Sequence, residues 1–358
     1  MPTAHLLGLA TATPPHRLTQ EQTREVARSV FADHMRDFER LAPVFTNAGI
    51  DSRQSCVPLD WYRTRHGWRD RTALYLGHAL ELLDRATRAA LARADLEPGC
   101  IDAIVCVSST GIATPSLDAR VIQRLGLRPD VQRLPVFGLG CAGGVLGLAR
   151  AADWARARPG STVLLLVVEL CALSFRRDDV SNANVVATAL FGDGAAAVLL
   201  RAPGPEPGTG PETGAPPGPA LRATAEHTWP DTLDVMGWRV EEDGLGVIFS
   251  QSIPALVRLR FGAVVDRFLD SQGLDRGRLT GSICHPGGAK VIDSLEEVLA
   301  PCTAGMEEAR TVLRDHGNMS AATVLFVLER RIASGARGPH LMTALGPGFS
   351  AGLALLDL

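Results

Sequence analysis

The stretch Val136-Phe-Gly-Leu-Gly-Cys-Ala-Gly-Gly144 decides the reading of this chain, because an apolar run delivers Cys141 to the first turn of a helix expected to begin near Ala142. A sulfur in that place lies beside unpaired amides at the positive end of a helix dipole, which favours thiolate over thiol. The small neighbours leave room for an acyl carbonyl to approach. Taken alone, the pattern fits a buried structural cysteine equally well, since free cysteines pack as small hydrophobes.

Two later segments shift the balance. In Ile283-Cys-His-Pro-Gly-Gly-Ala289 a short strand presents His285 just before a Pro-Gly-Gly turn, and in His316-Gly-Asn-Met-Ser-Ala-Ala322 a loop ends at Asn318 before an apolar helical run. A lone histidine is more often structural, and an asparagine before a helix is usually a cap. Three such residues, each on a glycine-flanked segment that brings backbone close to a cavity, share a chemical reason. Cysteine accepts an acyl group from a thioester, while imidazole Nε2 and a carboxamide both donate to one developing oxyanion. Decarboxylation of a malonyl thioester leaves an enolate and needs such donors. A papain-like arrangement, with asparagine orienting histidine, uses the same residue types in different geometry.

Gly-Cys141-Ala-Gly-Gly, His285-Pro-Gly-Gly, Gly-Asn318-Met-Ser, Phe191-Gly-Asp-Gly194 and the terminal Gly346-Pro-Gly348 occur in an order that resembles the type III polyketide synthases, the chalcone synthase family, over nearly the whole chain. The chain is similar at greater distance to the initiating ketosynthases of fatty acid synthesis, which usually carry a different sequence around their histidine.

Composition agrees with a large enzyme. With 358 residues and 46% hydrophobic content, the chain can bury a substantial core or two fused halves. A net charge of -3 gives no reason to expect nucleic acid, and Lys290 is the only lysine among many scattered arginines. Seven irregularly spaced cysteines without paired CxxC motifs point to a reducing cytoplasm rather than a disulfide framework or a structural zinc site. The N-terminal residues lack a signal-peptide pattern, and the apolar run around Val163–Val168 is too short to span a bilayer. No metal or redox cofactor is expected, since Rossmann, Walker and metal-cluster signatures are missing.

Periodicity predicts strands at 4–12, 101–107, 133–139, 162–169, 193–200, 220–228, 244–249, 281–284, 340–345 and 350–357. Helices are predicted at 20–35, 70–94, 115–126, 142–157, 252–271, 288–299, 304–315 and 320–333. This supports an α/β class. The repeated order of a glycine-flanked turn, a small-residue helix and a glycine-bounded strand divides the chain into an N-terminal half, 1–219, carrying the nucleophile and a C-terminal half, 220–358, carrying histidine and asparagine. The resemblance implies a thiolase-like five-layer αβαβα fold with two similar halves. Pro203 to Pro219 reads as a surface loop between strands.

The resemblance also implies roles residue by residue. Phe191 matches an aromatic gatekeeper, and Val247 stands at or near a second gatekeeper position with Phe249 two residues on. Ser109, Cys171 and Ser174 match cavity walls where plant enzymes tend to carry threonines, and Thr114 matches a residue reaching into the partner's cavity across a homodimer interface. Arg53 resembles a basic residue that receives CoA phosphates at the tunnel mouth; a solvated surface arginine is the plainer reading. Cys106 reads as structural rather than as a second active thiol.

The expected cycle has His285 stabilise a Cys141 thiolate, which takes an acyl-CoA starter; malonyl-CoA then decarboxylates between His285 and Asn318, and its enolate attacks the bound acyl group. Iteration and ring closure follow. Cys106–Ser116, Leu170–Asp179 and Met236–Val240 look most like bacterial alkylresorcinol and alkylpyrone synthases, implying medium or long acyl starters. The rival readings are a short-starter enzyme making a naphthalene or phloroglucinol, a single-step fatty-acid-initiating ketosynthase, and an inactive assembly partner.

Overall fold

The structure is a computed structural model describing residues 2–32, 38–204, 218–302 and 304–358, so most of the proline-rich segment lies outside the described residues. Its strands are β1 (Ala4–Ala12), β2 (His16–Thr19), β3 (Ser52–Ser55), β4 (Ile101–Val107), β5 (Gln132–Val136), β6 (Thr162–Leu170), β7 (Asp193–Arg201), β8 (Ala220–Thr228), β9 (Met236–Val240), β10 (Leu245–Phe249), β11 (Gly281–Cys284), β12 (Pro339–Gly346) and β13 (Ser350–Asp357). Nine of them form a mixed ladder in the order β11-β12-β13-β8-β1-β7-β6-β4-β5. The seam between its two groups of strands is slight: β1 meets β8 only at Ala4–Leu221 and His5–Ala220.

The layers follow from where the apolar side chains point. β6 reads Thr-Val-Leu-Leu-Leu-Val-Val-Glu-Leu and is buried along its whole length, the pattern of a strand covered on both faces. Val163, Leu165 and Val167 face a core built on helices Gly143–Ala157 and Thr323–Ala333, while Leu164, Leu166 and Val168 face helices Trp68–Ala94 and Leu117–Leu125. On the far side, Leu341, Leu345, Leu353 and Leu355 pack on helices Gly262–Asp270, Ala289–Leu299 and Met306–His316. Helix, sheet, central helices, sheet, helix is the thiolase-like αβαβα order.

The two central helices are apolar nearly all round, as a buried middle layer requires. Truncating the fully buried Leu325 there would cost about 2–5 kcal/mol. Each helix begins from a 3-10 turn, Gly140–Ala142 or Ser320–Ala322. Gly140 and Ser320 both stand at φ 48°. The starts of the two helices touch, and a Cβ at Gly144 would strike the Ala321 carbonyl, so glycine sets how closely the halves approach.

The expected helix 252–271 is instead Ile253–Leu256, a π-helical turn Val257–Phe261 and Gly262–Asp270. Through that turn Val257 and Phe261 stay buried in the same core as Val265 and Leu269. Helix Asn182–Leu190 and strands β2, β3 and β9 had no expectation; the helix is short and lacks the charged face that periodicity detects.

Candidate active site

β5 ends at Val136, short of the expected 139, because Gly138 and Gly140 take left-handed φ values of 93° and 48°. Cys141 follows in the 3-10 turn and reaches the cavity at the N-terminus of helix Gly143–Ala157, with Sγ 3.6 Å from Ser320 Oγ. Burial pushes its thiol up to about 11, opposed chiefly by hydrogen bonding with the Ser320 side chain. At neutral pH the sulfur is therefore protonated.

His285 leaves the end of β11. Its N–H donates to the Thr343 carbonyl at 2.9 Å, and its carbonyl accepts from the Gly287 N–H at 3.1 Å, which fixes the backbone. Neither ring nitrogen has a hydrogen-bond partner among the described residues, and burial lowers the imidazole to about 4. It is neutral at physiological pH, with one N–H to donate and one lone pair to accept. This differs from the expected stabilisation of a Cys141 thiolate by His285. Desolvation favours the uncharged form of both groups, so the thiol proton has to move as the acyl carbonyl is attacked.

Asn318 is held more firmly. Its Oδ1 accepts the Ser320 N–H at 2.9 Å and its Nδ2 donates to the Gly287 carbonyl at 3.2 Å, leaving one Nδ2 hydrogen for a ligand. The papain-like alternative fails here, since no hydrogen bond joins Asn318 to the His285 ring among the described residues. Cys141, His285, Asn318 and Ser320 line one cavity together with Phe191 and Val247. Phe249 also lines it. Trp238 was not anticipated: its ring meets Phe191 edge-on, centroids 5.9 Å apart.

Cys171 and Ser174 lie elsewhere. They line a second chamber with Val26, Leu59 and Tyr62, and Phe191 belongs to the walls of both chambers. Arg53 also borders the second chamber and overturns its expected role. It is only 3% exposed, and its guanidinium donates to the carbonyls of Thr188, Ala189 and Phe191. An arginine buried against three backbone acceptors ties helix Asn182–Leu190 to β3 and is withdrawn from the surface where a phosphate would meet it. Burial accordingly lowers it to about 10.

Two exposed cations among the described residues, Arg40 and Lys290, lie next to the catalytic cavity. They border an outer pocket that shares Phe249, Ile253, Gly287 and Val291 with the catalytic cavity. Neither makes an ion pair among the described residues.

Ser109 does not border the catalytic cavity, contrary to its expected place in the wall; it is 1% exposed beneath the nucleophile loop. Thr114 is exposed on the Gly111–Ser116 loop, beside a surface pocket that also exposes Ile112 and Phe137. Cys106 lies under that pocket, buried, with its thiol pushed far up by desolvation, the condition of an inert packed cysteine. No described helix is long and apolar enough to cross a membrane.

A thiol at the start of a helix, a neutral imidazole and an anchored carboxamide on one dry cavity suit acyl transfer from a thioester with stabilisation of an oxyanion. Comparison with known proteins agrees. Residues 63–205 match "Chalcone and stilbene synthases, N-terminal domain" and residues 220–355 match the C-terminal domain of the same family. A putative chalcone synthase of Bacillus subtilis (strain 168) is 36% identical over 99% of this chain and 98% of its own length. The 1,3,6,8-tetrahydroxynaphthalene synthase of Streptomyces peucetius subsp. caesius is 40% identical over 97% of this chain and 91% of its own. The crystal structure of 1,3,6,8-tetrahydroxynaphthalene synthase from Streptomyces coelicolor A3(2) superposes with a TM-score of 0.88 at 27% identity, covering 99% of both chains. Sequence, fold and site converge: the chain belongs to the chalcone and stilbene synthase family and is a type III polyketide synthase.

Proposed function

We propose that this enzyme loads a medium- or long-chain acyl-CoA onto Cys141 and extends it by repeated decarboxylative condensation with malonyl-CoA, before closure to an alkylresorcinol or alkylpyrone. The observation that carries this reading is the position of Phe191 between two chambers. Turning its ring aside opens a path from the cysteine toward the largely apolar space bounded by Val26, Leu59 and Phe175, where an alkyl chain loses water contact favourably, about 0.8 kcal/mol per buried CH2.

In this cycle the Cys141 proton passes to His285 as sulfur attacks the starter thioester, and coenzyme A leaves. His285 then serves as a donor. With the Asn318 Nδ2 hydrogen, it receives the malonyl thioester oxygen, and loss of CO2 places negative charge on that oxygen. The apolar rings of Phe191 and Trp238 exclude water from the carboxylate, which favours its loss. The enolate carbon attacks the acyl carbonyl and expels the Cys141 sulfur, which leaves the lengthened chain as a CoA thioester; its transfer back to the sulfur releases coenzyme A, and the cycle repeats.

We assign the phosphates of coenzyme A to Arg40 and Lys290 of the outer pocket, in place of Arg53. The exposed apolar pair Ile112 and Phe137, 51% and 55% accessible beside Thr114, marks the face proposed to pair with a second copy. A cytoplasmic setting fits the free cysteines.

The 40% identity to a tetrahydroxynaphthalene synthase favours a second reading, a short-starter enzyme making a naphthalene product. One experiment separates the two. Purified enzyme is incubated with labelled malonyl-CoA and acetyl- to palmitoyl-CoA starters, and products are resolved by mass. Repeated malonate incorporation on long starters supports the first reading; products built from malonate alone support the second.

A further inference from the structure

Ser109 and Glu169 form a buried brace beneath the loop that carries the nucleophile. Ser109 Oγ accepts two backbone N–H groups of that loop, from Gly138 at 3.2 Å and Gly140 at 3.1 Å. Both are left-handed residues, and Gly140 is the residue before Cys141. The Ser109 N–H in turn donates to both carboxylate oxygens of Glu169, at 3.2 and 3.1 Å. Thr110 Oγ1 donates to the same carboxylate at 2.7 Å and accepts the Leu170 N–H at 2.9 Å. The path is continuous from the end of β6, through the loop after β4, to the turn containing Cys141.

The opposite side of the turn is equally closed. A Cβ at Gly140 would lie 2.6 Å from Pro347 Cδ, and one at Gly346 would lie 2.6 Å from the Leu139 carbonyl oxygen. The loop is therefore held between Gly346-Pro347 and the Ser109 hydroxyl. An oxygen that accepts two N–H groups has used both lone pairs, so Ser109 is neither a base nor a nucleophile in this arrangement. Glu169 is fully buried and takes no part in the cycle described above.

We propose that Ser109, held by Glu169, is a positioning residue for Cys141: it fixes the loop so that the sulfur points into the cavity at the distance that attack on a thioester requires. Without the hydroxyl oxygen, the Gly138 and Gly140 amides lose their acceptor inside a dry site, and the loop relaxes to find another. The inference rests on Cys141 as the nucleophile. Misplacement of a reacting atom by about 1 Å costs on the order of 100-fold in rate, so a change of this size is measurable.

The test is the rate of Cys141 alkylation by iodoacetamide, read on the isolated peptide by mass, together with kcat and KM for the acyl-CoA starter. Ser109→Ala is expected to slow alkylation and kcat by about 10- to 100-fold in the folded enzyme, with KM within about twofold. Ser109→Thr keeps the oxygen and is expected to recover most of both rates. A folded Ser109→Ala enzyme that alkylates and turns over at the wild-type rate overturns the proposal, as does a Thr variant no better than Ala. If Ser109→Ala does not fold, Ser109→Cys supplies a poor acceptor of nearly the same shape, and wild-type alkylation at Cys141 in that variant overturns it equally. Alkylation needs no substrate. A wild-type enzyme that fails to extend any starter would refute the proposed function and leave this comparison standing.

Discussion

Phe191 and Asn318 are joined through their backbones as an isolated parallel bridge: the Asn318 N–H donates to the Leu190 carbonyl at 2.8 Å, and the Gly192 N–H donates to the Asn318 carbonyl at 3.0 Å. The ring that divides the chambers and the amide proposed to receive the enolate oxygen thus share one support, yet the bridge uses no side-chain atom of either. The two functions are separable by mutation. Asn318→Ala is expected to lower malonyl-CoA decarboxylation by about 10²–10³ while Cys141 alkylation persists. Phe191→Ala is expected to keep decarboxylation within severalfold and shift the preferred starter length. Carbon dioxide release and product mass read the two effects.

The cysteine makes a pH prediction. Its thiol stands near 11, so alkylation of the substrate-free enzyme by iodoacetamide is expected to climb with pH through the range 9–11 without a plateau at neutrality. The Ser320 hydroxyl opposes that rise by hydrogen bonding to sulfur. Removing it in Ser320→Ala leaves burial less opposed, and the alkylation profile should move further toward alkaline pH. A profile that does not move would assign the 3.6 Å contact no electrostatic weight.

Arg53 is expected to govern stability and not affinity for coenzyme A. Arg53→Met strands the carbonyls of Thr188, Ala189 and Phe191, at a cost of about 2–4 kcal/mol in urea unfolding. KM for short acyl-CoA substrates should stay close to wild type under conditions where the variant is folded.

Arg40→Ala and Lys290→Ala make the complementary case. Each is expected to raise KM for malonyl-CoA severalfold at low salt, with the difference shrinking as ionic strength screens the exposed charges. Malonyl pantetheine, which has no adenosine phosphates, should be used equally well by the variants and the wild type.

Glu169 links the brace to pH. Burial raises its carboxyl from 4.5 to about 8. A carboxyl raised on folding contributes stability that is complete below its unfolded value and lost as pH climbs through the folded one. Wild-type stability should therefore fall between about pH 4.5 and 8 relative to Glu169→Gln, which carries no ionisable proton. Chemical denaturation at intervals across that range measures the difference. Asp193, raised to about 6 by burial, acts in the same direction.

Cys141, His285 and Asn318 were legible because each lies where glycine breaks a regular element, and those breaks are written locally. The sheet was legible for a related reason: buried strands such as β6 announce themselves as apolar runs. Arg53 was not, since nothing in Asp-Ser-Arg-Gln-Ser tells a solvated arginine from one whose acceptors lie more than a hundred residues away. Ser109 fails the same way: its loop partners come from the next strand connection. Trp238 sits on β9, a short strand ending in exposed Arg239 and Val240, and the Phe191 ring it meets belongs to a distant part of the chain. Local sequence records where the backbone stops being regular; it does not record which buried groups satisfy one another.

Gly140 and Ser320 open their helices with the same backbone twist, and the openings face each other at the centre of the molecule. A single architectural device has thus been used twice with divided labour. One copy leaves its first position bare so that a sulfur can follow, and the other fills that position with an oxygen that greets the sulfur across the gap. Chemical asymmetry here comes from what near-twin scaffolds carry at matching places, and residue 320 is the point at which one copy speaks directly to the other.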